Sequence, residues 1–70
     1  MIEVLEALGF EIVKEDVDYN IVTRRLENDD SVIILEEAFF EPDEVESTIF
    51  IIDGELNLDE NKFEGLKIIN

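Results

Sequence analysis

Carboxylates are the only side chains in this chain with the numbers to do chemistry. Twenty Asp and Glu stand against five Lys and Arg, and there is neither a histidine nor a cysteine. Without His and Cys, the usual general base near neutral pH and the strongest transition-metal ligands are missing. Ser31 and Ser47 therefore have no imidazole to activate them, and neither lies in a Gly-x-Ser-x-Gly elbow. Gly9, Gly54 and Gly65 are too dispersed for a phosphate-cradling loop. Paired carboxylates can run glycosidase-type chemistry. Seventy residues, however, leave little room for a cleft of the usual few hundred Å3. Neither an enzyme nor a bound cofactor is expected.

Calcium needs only oxygen ligands and deserves its own test. An EF-hand loop begun at Asn57 places Asn57, Asp59 and Asn61 correctly. It then puts Lys62 where Gly belongs and Ile68 where Glu belongs, and the match fails. Weak divalent-cation binding at Asp29-Asp30 or Asp59-Glu60 is kept as a further alternative, against the simpler reading of these residues as turn formers. No metal site is expected.

The charge itself is the outlying property, at −15 over 70 residues. A compact domain of this length has a radius of gyration of roughly 11 Å and spans about 28 Å. Duplex DNA carries about 16 negative charges over that length, a comparable density. Such self-repulsion costs stability. Nucleic acid and anionic membranes are poor partners for this surface, and basic proteins are good ones. Between Arg25 and Lys62 lie 36 residues with 13 acids and no basic side chain. The densest part runs from Glu36 to Glu46: Glu36, Glu37, Glu41, Asp43, Glu44 and Glu46 surround the adjacent pair Phe39-Phe40.

The elements that must position these groups follow from hydrophobic spacing. With 46% hydrophobic residues the chain is too apolar for intrinsic disorder, and its length predicts one domain over residues 1–70. Met1, Val4, Leu5 and Leu8 share one face of a short helix. Gly9 suits the left-handed position after it, with Phe10 closing back on Leu5. Phe10 to Lys14 reads as a first strand, ended by an acidic turn from Glu15 to Asp18. Tyr19 to Leu26 reads as a second, and Ser31 to Glu37 as a third returning from a turn at Glu27 to Asp30. Pro42 with Asp43-Glu44 suits the start of a single helical turn. Ser47 to Ile52 is a fourth strand, and Asp53-Gly54 predicts a tight hairpin sending Glu55 to Leu58 back antiparallel. Phe63 to Ile69 fits either a short helix capped by Asp59 or a closing strand. The expected fold is α+β: a short N-terminal helix packed on a small, mainly antiparallel sheet of four to five strands built from hairpins. Val32 to Leu35 and Ile49 to Ile52 are apolar on both faces, so the sheet face away from the helix needs a second cover. The C-terminal segment, curling of the sheet or a second subunit would each supply one.

Three readings compete for the acidic segment: a solvated face with Phe39 and Phe40 in the core, a partner motif with aromatic anchors framed by acids, and a phosphate mimic. On a strand, alternate carboxylates recur every ~6.6 Å, a row that a surface built to neutralise DNA phosphates would accept. In size, charge and lack of catalytic side chains the chain resembles the small acidic DNA-mimic inhibitors that bacteriophages and mobile elements direct against host nucleases, repair enzymes or CRISPR effectors. That resemblance rests on size and charge, and no motif transfers functional residues. The expected function is a non-catalytic inhibitor that occupies the nucleic-acid-binding surface of a basic protein through Glu36, Glu37, Phe39, Phe40, Glu41, Asp43, Glu44 and Glu46, with Asp29 and Asp30 adding range. The alternative is a small adaptor or regulatory protein, possible as a homodimer, acting through an apolar sheet face. Acidity as an adaptation to high salt is a different explanation, to which the Ile-rich composition lends no special support. With no basic signal-peptide start and no apolar run of ~18 residues, a cytoplasmic location is expected, with no membrane partner.

Overall fold

The first helix, α1 (Ile2–Ala7), ends where the chain provides a residue for a left-handed turn. Gly9 takes φ +87°, its N–H donates to the Glu6 carbonyl at 3.0 Å, and the Phe10 N–H donates to the Leu5 carbonyl at 3.1 Å. This is a Schellman closure with its hydrophobic contact, since both Leu5 and Phe10 are buried. Six residues cannot sustain a helix in water. The burial of Leu5 against the sheet keeps α1 folded.

In the computed structural model, which describes all 70 residues, five strands follow: β1 (Glu11–Asp18), β2 (Ile21–Glu27), β3 (Val32–Glu41), β4 (Glu44–Asp53) and β5 (Leu66–Ile69). They form one sheet in sequence order, antiparallel from β1 to β4, with β5 parallel to β4. The fold is α+β, as the hydrophobic pattern predicts. The Cα radius of gyration is 11.6 Å and the extents are 34 × 26 × 21 Å.

Strand alternation sorts the side chains onto two faces. The helix face carries Leu26, Ile33, Leu35 and Ile49, which with Leu5 and Phe10 make the buried core. An α-helix is about 10 Å wide, whereas five strands span about 24 Å. Leu56 and Leu58, from the segment after β4, supply the rest of the cover, together with Met1 and Ile2.

That segment corrects one expectation. Gly54 does turn the chain, at φ +82°, but Glu55 to Leu58 forms no strand. The chain instead crosses the helix face to reach the free edge of β4, because Leu56 and Leu58 are needed on the core. Ser31 anchors the departure: its hydroxyl donates to the Glu55 carbonyl at 2.5 Å and accepts from the Glu55 N–H at 3.1 Å. A Cβ on Gly54 would clash with the Asp30 carbonyl oxygen. Gly54→Ala therefore combines a backbone clash with a left-handed penalty, and is expected to cost about 3 kcal/mol, read as a lower urea midpoint.

The hairpins also differ from expectation in length. Glu15 to Asp18 is strand, not turn, and the reversal falls on Tyr19-Asn20. Pro42 starts no helical turn. With Asp43 it forms the two-residue loop of the β3–β4 hairpin, closed by Glu41 opposite Glu44. Pro42 suits the second position of an ordinary turn, and none of its residues has positive φ. Such a turn mismatches the strand twist, and an irregularity at Phe40, between the paired Phe39 and Glu41, takes up the difference. At the C-terminus both readings hold in part. Asp59 caps a 3-10 turn (Glu60–Lys62), accepting from the Asn61 N–H at 3.0 Å, and β5 closes the sheet.

Candidate functional site: an acidic hairpin tip

The β3–β4 hairpin carries the acid-rich segment, and its geometry divides those acids three ways. Glu41, Asp43 and Glu44 sit exposed at the tip. Glu36 and Glu46 lie on the face away from the helix, opposite Thr48 and Ala38 respectively. Glu37 points to the helix face and is buried at 8% exposure. The Arg24 Nη1 donates to its Oε1 at 2.6 Å, and the Arg24 Nε donates to Glu15 Oε2 at 2.6 Å. Glu37 is thus spent on the fold and unavailable to a partner. The hydrogen bond to Glu15, followed by the charges of Glu15 and Glu37, outweighs partial burial and raises the Arg24 pKa above its ordinary value. Arg24 stays charged throughout the working pH range.

Asp29 and Asp30 lie in the β2–β3 loop, at the opposite end of β3 from the tip. Ten residues of strand separate the two groups by about 30 Å. One compact contact cannot engage both, and only a cleft running the 34 Å length of the molecule would reach them together.

The tip has neighbours that the linear sequence conceals. Glu64 shares an open groove with Asp43, Glu44 and Glu46, beside Val45 and Gly65. Gly65 makes the approach possible: it has φ +73°, a Cβ there would lie 2.8 Å from the Val45 carbonyl, and its own carbonyl accepts from Ser47 N–H at 2.7 Å. The β1–β2 turn stands at the same end of the sheet. Asn20 ties it to the hairpin twice, its carbonyl accepting from Phe39 N–H at 2.9 Å and its side-chain amide donating to the Phe39 carbonyl at 3.1 Å. Both bonds fix the β1–β2 turn to β3 beside the hairpin tip.

This end of the sheet displays aromatics. Phe39 lies on the helix face opposite Val45, beyond the reach of α1, where Met1, Phe63 and Leu66 join it around a shallow groove. Phe40 is more than half exposed. Tyr19, outside the expected site, is 99% exposed and holds φ 58° without being glycine. Tyr19 is the first residue of the two-residue β1–β2 loop, where the hairpin turns that match strand twist require positive φ. The signal was present only as a Tyr-Asn pair between two apolar runs.

None of Glu41, Asp43, Glu44, Glu46 or Glu64 takes part in an ion pair, since all three in the molecule belong to Arg24 and Arg25. No group of three or more acids is close enough to hold a metal ion. Asp59 and Glu60 are engaged within the fold, Glu60 Oε2 accepting from the Ile68 N–H at 2.8 Å. No helix is long and apolar enough to cross a membrane. Compared with known proteins, the chain matches no family model, no curated protein and no solved structure.

Proposed function

We propose that this chain is a non-catalytic, cytoplasmic inhibitor of the DNA-mimic type, occupying the nucleic-acid-binding surface of a basic protein through the β3–β4 hairpin tip. The observation that carries the proposal is the set of unpaired carboxylates at one end of the sheet. Glu41, Asp43 and Glu44 are joined there by Glu46 and Glu64, with Phe39, Phe40 and Tyr19 exposed beside them. Acids held in place by a hairpin present fixed negative points to Lys and Arg arranged for phosphates. The aromatics supply desolvated anchors of the kind that dominate interface energies. Glu36 contributes from the open face, and Glu37 contributes only by positioning the strand.

Charge-led association is sensitive to salt, because exposed pairs are screened. Against a basic partner captured from lysate at low salt and then purified, affinity is expected to fall about tenfold or more between about 0.05 and 0.3 M salt. An affinity that holds constant over that range would remove the mimic.

The second reading is a small adaptor or regulatory protein acting through the sheet face away from the helix. It has its own support. Ile21, Ile34, Phe50 and Ile69 lie there with no element packed over them.

A further inference from the structure

The aromatic residues are spread unevenly over the molecule. Phe10 is buried in the core, whereas Phe39 and Phe40 stand half-exposed in the acidic hairpin. Tyr19, fully exposed, lies beside Asn20, whose carbonyl and side-chain amide both bond the Phe39 backbone. Phe39 and Phe63 line the shallow groove on the helix face with Met1, Val45 and Leu66. Val45 and Glu64 border this groove and also the acidic groove of Asp43, Glu44 and Glu46. Rings and unpaired carboxylates therefore adjoin at one end of the sheet. Lys62 is the one basic side chain bordering either groove.

The two forms of nucleic acid ask different things of a surface that replaces them. A duplex shows its partner phosphates and groove edges, while the faces of its bases are stacked inside. A protein that binds it through phosphates presents Lys and Arg, and exposed rings on a mimic would have nothing of their own kind to meet. A single strand exposes phosphates and base faces together. Proteins that bind single strands accordingly set aromatic side chains among their cations, for successive bases to stack on.

From the adjoining grooves we propose that the partner surface this tip occupies is one built for single-stranded nucleic acid, with exposed rings standing among cations. The proposal rests on the mimic reading of the tip and names the nucleic acid that it replaces. Asp43, Glu44, Glu46 and Glu64 take the places of phosphates. Phe39, Phe40 and Tyr19 take those of unstacked bases. Apolar surface left in water and rimmed by polar groups marks a site of interaction. Here the rim is acidic, so the surface that complements it combines cations with apolar rings.

Competition between two oligonucleotides tests the assignment. The basic partner held on the immobilised full chain at low salt is released with oligo-dT of about 12 nucleotides or with a duplex of about 12 base pairs. The oligo-dT should act at a concentration about tenfold or more below that of the duplex, because a surface for single strands holds a duplex by its phosphates alone. Phe40→Leu keeps an apolar side chain at a half-exposed position but removes the ring. It should weaken the complex about tenfold, with the far-UV spectrum unchanged. Ile52→Ala, an exposed apolar position at the other end of β4, should leave the affinity as it was. Release by the duplex at an equal or lower concentration overturns the assignment and leaves the mimic reading standing. Retention of no basic protein, or release by neither oligonucleotide, removes both. Binding by Phe40→Leu equal to that of the unsubstituted chain makes the ring an ordinary apolar contact and overturns its base-like role.

Discussion

Changing Glu41, Asp43 and Glu44 together to lysine is expected to slow association with a basic nucleic-acid-binding partner about tenfold or more, with the larger part of the loss in the on-rate. The substitution moves the net charge from −15 to −9 and reverses the field at the end of the sheet where partner cations would approach. Folding should be unharmed. The three residues are exposed and make no ion pair, and relief of self-repulsion favours the compact state. Changing Glu3, Glu6 and Glu55 to lysine alters net charge equally but leaves the tip intact. Stopped-flow mixing separates the two cases: an equal slowing by both triple variants would assign the effect to total charge and remove the tip as the site.

Arg24→Met is expected to cost about 3 kcal/mol of stability. It would leave the Glu37 carboxylate buried beside Leu35 and Ile49 without a partner. A domain of this size has a margin of only about 5 kcal/mol, so the melting temperature should fall by about 15 °C. The two halves of the ion triad are unequal. Glu15 is half exposed, and its bridge should contribute under about 0.5 kcal/mol when tested as Glu15→Ala. Combining Arg24→Met with Glu37→Leu should recover more than half of the loss, since an apolar pair needs no counter-charge. Urea unfolding checks all three; a double variant no more stable than Arg24→Met would mean that Arg24 acts through packing alone.

The balance between what the sequence discloses and what it conceals follows from the range of each interaction. The Leu5-Gly9-Phe10 closure is local, set by one residue able to take positive φ, and it was legible. So were the apolar runs of β3 and β4, but the second cover expected over the face away from α1 is absent, because Leu56 and Leu58 join α1 on the same face. The fate of Glu37 was not legible, because Arg24 lies 13 residues away and the pair exists only through the β2–β3 register. Glu15 and Asp16 looked like turn residues for the same reason. Their strand is held by Arg24 and Thr23 across the ladder, not by its own propensity. Asp53-Gly54 carried a true turn signal but no information on direction. The core's demand for Leu56 and Leu58 decided that. Proximity of Glu64 to Asp43, and of Asn20 to Phe39, arises from strand order, which no single segment encodes.

The central claim is that the hairpin tip stands where a partner's nucleic acid would stand. Competition at equilibrium tests it most directly. The basic partner, loaded with a short labelled duplex, is titrated with this protein and followed by fluorescence anisotropy. Complete release of the duplex is expected, with the lysine triple variant shifted about tenfold or more to higher concentration. A ternary complex that keeps the duplex bound at saturating protein would contradict it.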